Sequence, residues 1–189
     1  MKKLISVLLV LVMVLAMVVG CSKKPGNETP DVVVPASALE ILENIWAQYG
    51  VEEKFFAMGG DFSNPVDGAP GNFSLENPED AAAMLHLPAD QAANVDQAAS
   101  LIHAMNTNTF TCGVFKIENI SAADFGAAMK DAVLNNQWMC GFPETLLIRN
   151  FGDSYVLVAF GVNDAMTPFE THLTEAYPGM ETIASEPIV

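Results

Sequence analysis

Beyond residue 35, the side chains whose types could carry nucleophilic, redox or metal chemistry are His86, His103, His172, Cys112 and Cys140. None of these histidines lies within four residues of another histidine or of a cysteine. Zinc sites gather their ligands in short local spacings, so no local metal pattern is present. A thiol enzyme sets a cysteine beside an imidazole, and Cys112 with His103 reads as a pair on facing strands of one hairpin. However, Phe110, Val114 and Phe115 surround Cys112, which predicts burial, and a buried thiol stays protonated and inert. His172 has Glu170 and Glu175 nearby, with Glu175 one helical turn away, a spacing usual for a solvated helix face. Cys112 and Cys140 are the candidate disulfide pair in an exported chain. Cys112 in an apolar strand pattern and Cys140 in Trp138-Met139-Cys140-Gly141-Phe142 suit two ordinary buried residues better, and connectivity cannot be read from spacing. The run Asp61-Phe62-Ser63-Asn64-Pro65-Val66-Asp67-Gly68 offers hard oxygen ligands. Pro65 and Val66 fall where a calcium loop needs an oxygen and a glycine, so the segment 59–71 reads as a surface loop. No Gly-x-Ser-x-Gly elbow, phosphate-cradling glycine loop or dinucleotide fingerprint occurs. No catalytic, cofactor or metal residue is therefore assigned.

The elements that must position these side chains read as an α+β domain. Ser37-Ala38-Leu39-Glu40 opens a helix by a capping box, and Leu39, Leu42, Ile45, Trp46 and Tyr49 follow at helical spacing up to Gly50. Asn77-Pro78-Glu79-Asp80 opens a second helix, stopped by Pro88. Residues 98–105 read as a strand, although their alanines also allow a helix, and after the turn Asn106-Thr107-Asn108 residues 109–117 read as a strand. Ser121 caps an amphipathic helix through Phe125, Met129 and Val133. Residues 145–151 and 155–162 form a hairpin about Gly152-Asp153, a last helix spans about 165–176, and residues 181–189 add an edge strand. A gapless echo of 101–119 in 146–164 repeats hairpin, polar cap and helix. It predicts two ββα units: a two-layer sandwich with an antiparallel sheet of about four strands in ββαββα order. Its helices are expected on one face.

The N-terminus supplies the remaining cysteine. Met1-Lys2-Lys3 precedes an apolar run from Leu4 to Val19 broken only by Ser6, the layout of an export signal and short for a membrane span. Val18-Val19-Gly20-Cys21 resembles the lipobox of bacterial lipoproteins. The resemblance implies a diacylglyceryl thioether on Cys21 and cleavage before it, and two acyl chains suffice for stable anchoring. The expected organisation is a signal peptide over 1–20, a flexible Pro/Gly/Lys tether over 21–35, and one α+β domain over 36–189. The expected location is the extracytoplasmic face of a membrane.

The formal charge of the 189-residue chain is −15, and loss of Lys2 and Lys3 with the leader takes it to −17. Such a surface repels phosphate backbones, which argues against a nucleic-acid partner. It suits solubility, or recruitment of a basic partner or a cation.

Lipobox, polar tether and small α+β domain together look like the uncharacterised lipoproteins of Gram-positive and gut bacteria. Over about 95–180, strand-helix-hairpin-helix order with Gly152-Asp153-Ser154-Tyr155-Val156 is similar to one of their domain-of-unknown-function families. That likeness implies no catalytic residue. The leading expectation is a membrane-anchored, non-enzymatic binding module for a protein or small-molecule ligand. A solute-binding or transport-accessory lipoprotein ranks second, and a hydrolase or thiol enzyme third.

Overall fold

The computed structural model describes residues 35–188. The leader 1–20, Cys21 and almost all of the tether 21–35 lie outside the described residues. Among those described, no helix is long and apolar enough to cross a membrane.

Local signals set the helices. Helix α1 (Ala38–Trp46) begins where the Ser37 hydroxyl accepts the Glu40 N–H at 3.1 Å, while Glu40 accepts the Ala36 N–H at 2.8 Å. The orphan Glu40 N–H is thereby satisfied, and the Glu40 carboxylate ties down the residue before the cap. Helix α2 (Pro78–Leu85) is capped by Asn77, with Pro78 in its first turn, and ends at His86 in the left-handed region (φ 54°). Helix α3 (Ala122–Leu134) is capped by Ser121, whose hydroxyl accepts from the Asp124 N–H. Helix α4 (Asn163–Ala176) starts two residues earlier than its pattern predicts.

The strands are β1 (Ala57–Gly60), β2 (Pro65–Asp67), β3 (Gly71–Phe73), β4 (Val95–His103), β5 (Phe110–Ile117), β6 (Thr145–Phe151), β7 (Tyr155–Gly161) and β8 (Glu181–Pro187). They form one antiparallel sheet in the order β2-β1-β4-β5-β7-β6-β8, with β3 pairing the same side of β4 as β1. The mixed α+β class and antiparallel pairing are as expected. The four-strand ββαββα sandwich is corrected: among the described residues the sheet has eight strands, and helices cover both faces.

The reason lies in strand chemistry. Every residue of β7 is buried, and nearly all of β5, so neither strand has a wet face. Alternate side chains feed two separate cores. Phe110, Cys112, Val114, Leu147, Leu157 and Ala159 meet Ile41, Leu42 and Ile45 of α1 and Phe169 and Leu173 of α4. Phe115, Ile117, Leu146, Ile148, Val156 and Val158 meet Leu85 of α2 and Phe125, Met129 and Val133 of α3. The result is three layers. Both cores close within the compact unit Val32–Val189.

The expected surface loop 59–71 is corrected too. It contains the β1–β2 hairpin and the start of β3. Asp61, only 4% exposed, organises it. One carboxylate oxygen accepts the N–H groups of Ser63 (2.8 Å) and Asn64 (2.9 Å) and the Asn64 amide (3.3 Å); the other accepts the Ser74 N–H at 3.0 Å. Burial pulls this carboxyl up, but the four donors, Ser74 foremost, together outweigh it and hold it below the ordinary aspartate value. A cation is not needed to neutralise it. Gly59 lets the backbone of 69–71 pass so closely that a Cβ there would stand 2.2 Å from the Gly71 nitrogen.

Candidate functional site

Two concavities open at the end of the sheet where β4 stops, β5 starts and β7 stops. Cross-strand pairs Ala57↔His103 and Phe110↔Gly161 mark that end. His103 borders both.

The first is a cleft of about 210 Å³ on the α1/α4 side, lined by Tyr49, Glu53, Phe55, His103, Asn108 and Asp164, with Val162, Ala165 and Pro168 completing it. Alternation along β4 turns His103 to the same face as Ala99 and Leu101, and the turn after α1 brings Phe55 onto it. Their rings stack at 5.0 Å with an interplanar angle of 9°. The Met105 N–H reaches His103 Nδ1 at 3.1 Å, so Nδ1 is the acceptor nitrogen. Burial lowers the His103 pKa. Tyr49, 5% exposed, tilts against the His172 ring at 4.3 Å. Its hydroxyl is buried with no hydrogen-bond partner among the described residues. Burial pushes that hydroxyl's pKa up, and the neighbouring Cys112 and Glu53 add to the shift. His172 sits between two carboxylates, Glu175 at 3.0 Å and Glu53 at 3.7 Å. The spacing of His172 and Glu175 was legible in the sequence, but the solvated face expected there is corrected, since His172 is buried against Tyr49; Tyr49 and Glu53 beside it were not legible.

The second concavity, about 330 Å³, lies on the α2/α3 side among Met58, Met84, His86, Ile102, Trp138 and Phe160. Phe62 (66% exposed) and Met105 (51%) stand on its rim, and Cys140 lines it. His86 packs edge-on against Trp138 and Phe160, with centroids at 5.0 and 5.2 Å. The Trp138 indole N–H is buried and has no partner among the described residues. Met139 and Phe142 in the flanking segment are also largely exposed.

The sequence-predicted residues are therefore separated. Cys112 pairs with Leu101 across the β4–β5 ladder and is fully buried in the α1/α4 core, where burial raises its thiol far above the ordinary value. It is no nucleophile for His103. The expected burial of Cys140 is corrected: it is exposed on the other side of the sheet, in the segment after α3, and both cysteines are free thiols, so the considered bridge is not formed. Among the described residues no group of three or more His, Cys, Asp or Glu side chains is arranged to hold a metal ion.

The electrostatic setting is one-sided. The described region carries four cationic side chains, Lys54, Lys116, Lys130 and Arg149, against 21 carboxylates. Lys116 pairs with Asp96, Lys130 with Glu186 and Arg149 with Glu170, at 2.6 to 2.7 Å, and Lys54 lies over the Trp46 ring at 5.0 Å. The cleft carboxylates thus face solvent in a negative field. Compared with family models, with curated proteins and with solved structures, the chain gives no match in any of the three.

Proposed function

We propose that this chain is a lipid-anchored lipoprotein, cut before Cys21 and held at the outer face of a bacterial membrane. Its domain is a non-enzymatic binding module that engages its ligand at the β4/β5/β7 end of the sheet. The observation that carries the binding assignment is the groove rimmed by exposed Phe62 and Met105. Large apolar side chains gathered around a concavity mark interaction surfaces more often than solvent-facing ones. Supporting the anchor are the basic start, the short apolar run and Gly20-Cys21. The thiol-enzyme reading has lost its nucleophile to burial. A two-lobed solute receptor has less support, because the described residues build one lobe on one sheet.

Two measurements test this. Mass spectrometry of the native protein is expected to find residues 1–20 absent and a diacylglyceryl mass on Cys21; an intact leader sinks the anchor. A photo-cross-linking residue at position 62 or 105 is expected to trap a partner or ligand in cells, while one at Asp153, in the turn at the other end of β7, traps none. Equal labelling at the two ends defeats the assigned binding end.

A further inference from the structure

We propose that the cleft bounded by Tyr49, Glu53, Phe55, His103, Asn108 and Asp164 is a binding site for a small organic cation of the ammonium class. This inference concerns the opposite side of the sheet from the apolar groove and does not depend on lipid anchoring.

Four features combine. The walls are aromatic: Phe55 stacks on His103, and Tyr49 closes the floor. Aromatic faces attract organic cations through the ring quadrupole, most strongly where water is thinned out. The rim carries Glu53 and Asp164, and Asn108 supplies an amide. The neighbouring cation in the chain, Lys54, turns to the Trp46 ring instead of these carboxylates. The Tyr49 hydroxyl is buried with no hydrogen-bond partner among the described residues, and Tyr49 lines the cleft. An unmade hydrogen bond at such a position is costly, and a polar group brought to it by a shift of the Tyr49 ring would relieve the cost.

The class of ligand follows. A metal ion would leave the aromatic walls without a role and meets only two widely sourced carboxylates. An anion would face Glu53, Asp164 and the net charge of the domain. A neutral apolar compound would bring no positive charge to Asp164 or to Glu53, which already accepts the Gly50 N–H at 2.8 Å and lies 3.7 Å from the His172 ring. An alkylammonium or quaternary ammonium group places methyl or methylene surface on Phe55 and Tyr49 and its charge toward the carboxylates. The volume of about 210 Å³ is below the roughly 300–1,000 Å³ of drug-sized pockets, which limits the ligand to a small amine.

The test titrates the compact unit Val32–Val189 with choline, with putrescine, and with 3,3-dimethyl-1-butanol, the uncharged isostere of choline. Isothermal titration calorimetry reads affinity, and backbone amide shifts map the site. At least one of the two cations is expected to bind, and more than tenfold more tightly than the neutral isostere. Binding should weaken with added salt, and shifts should centre on His103 and Asn108. Glu53→Gln and Asp164→Asn are each expected to weaken binding about tenfold. Both positions are exposed, the Gln carbonyl can still accept the Gly50 N–H that Glu53 accepts, and a thermal melt checks that the fold is kept. Glu118→Gln, distant from the cleft, leaves affinity unchanged. Absence of binding by both cations up to about 10 mM, the millimolar limit of useful recognition, overturns the proposal. So does equal binding of the isostere, shifts centred on another surface, or calcium chloride competing for the same shifts. A failed lipidation assay leaves all these readouts untouched.

Discussion

Removing the Asp61 carboxylate tests whether one buried acid holds the β1–β2–β3 corner together. Asp61→Ala deletes the acceptor of three backbone N–H groups and one side-chain amide. Ser63 and Asn64 are exposed, so water replaces their lost acceptor and each bond is worth about 0.5–1 kcal/mol. The Ser74 N–H is half-buried and bonded to a charged acceptor, worth about 1.5–3 kcal/mol. Releasing a buried carboxylate from its desolvation returns part of this, which leaves a net loss of about 2–3 kcal/mol at neutral pH. In urea, with a slope of about 1–3 kcal/mol per molar, the midpoint should fall by about 1 M. Asp61→Asn keeps one carbonyl for the turn but turns an NH₂ toward Ser74, and should lose roughly half as much. The sign with pH follows from the depressed carboxyl. Its stabilisation is fully present above the ordinary aspartate value of about 3.9 and is lost as pH falls through the lower folded value. The gap between the native chain and Asp61→Asn should therefore be constant from pH 7 to about pH 5 and close below pH 4. Urea titrations followed by far-UV circular dichroism at several pH values measure it. An Asp61→Ala midpoint indistinguishable from native, or a gap that persists at low pH, refutes the reasoning.

Gly59→Ala puts a methyl group 2.2 Å from the Gly71 nitrogen and 2.5 Å from the Pro70 carbonyl carbon. Because backbone must shift, a loss of about 3 kcal/mol or more is expected by thermal melting, at or above the usual cost of overpacking. In native conditions a thiol reagent should modify Cys140 and leave Cys112 untouched until denaturant is added; equal rates would contradict the burial of Cys112. Cys112→Ser, which buries a hydroxyl among apolar side chains, should cost about 1–3 kcal/mol in a denaturation midpoint. Burial lowers the pKa of both His86 and His103, so the folded state resists their protonation. Stability should decline as pH falls below about 6.5 toward the folded values. NMR titration should place both imidazoles below the ordinary histidine value, and His86→Gln should flatten the decline.

Much of the architecture was legible because its determinants are local. Ser37, Asn77 and Ser121 announce helix starts through a side chain and an N–H two or three residues away. Gly152, in the left-handed region at φ 57°, marks the β6–β7 turn. Strands β1 and β3 gave no such signal: Ala57-Met58-Gly59-Gly60 and Gly71-Asn72-Phe73 are too short for periodicity and have little β propensity. Pairing of β1 with the C-terminal end of β4 and of β3 with its middle, together with the Asp61 hydrogen bonds, holds them in place. The two-sided sheet did have a signal, the unbroken apolar run Tyr155 to Gly161, which lacks the alternation of a strand with one wet face. The cleft was hidden for another reason. It is assembled from 49–55, 103–108 and 162–168, three stretches brought together only by sheet pairing and the packing of α1 against α4. Tyr49 reads in sequence as one more apolar-face residue, and its unpartnered hydroxyl is visible only in three dimensions.

The sheet's two outer strands bear on how neighbouring copies behave. Beyond β2, with Pro65 and Asp67, and beyond β8, with Glu181, Glu186 and Pro187, runs of backbone amide and carbonyl groups have no further strand among the described residues. Prolines withhold donors, and like charges brought edge to edge repel. Molecules confined to a surface, as the proposed tether would confine these, meet one another far more often than in free solution. Borders of this composition keep such encounters from growing into intermolecular ribbons, so a crowded layer of the protein should stay dispersed.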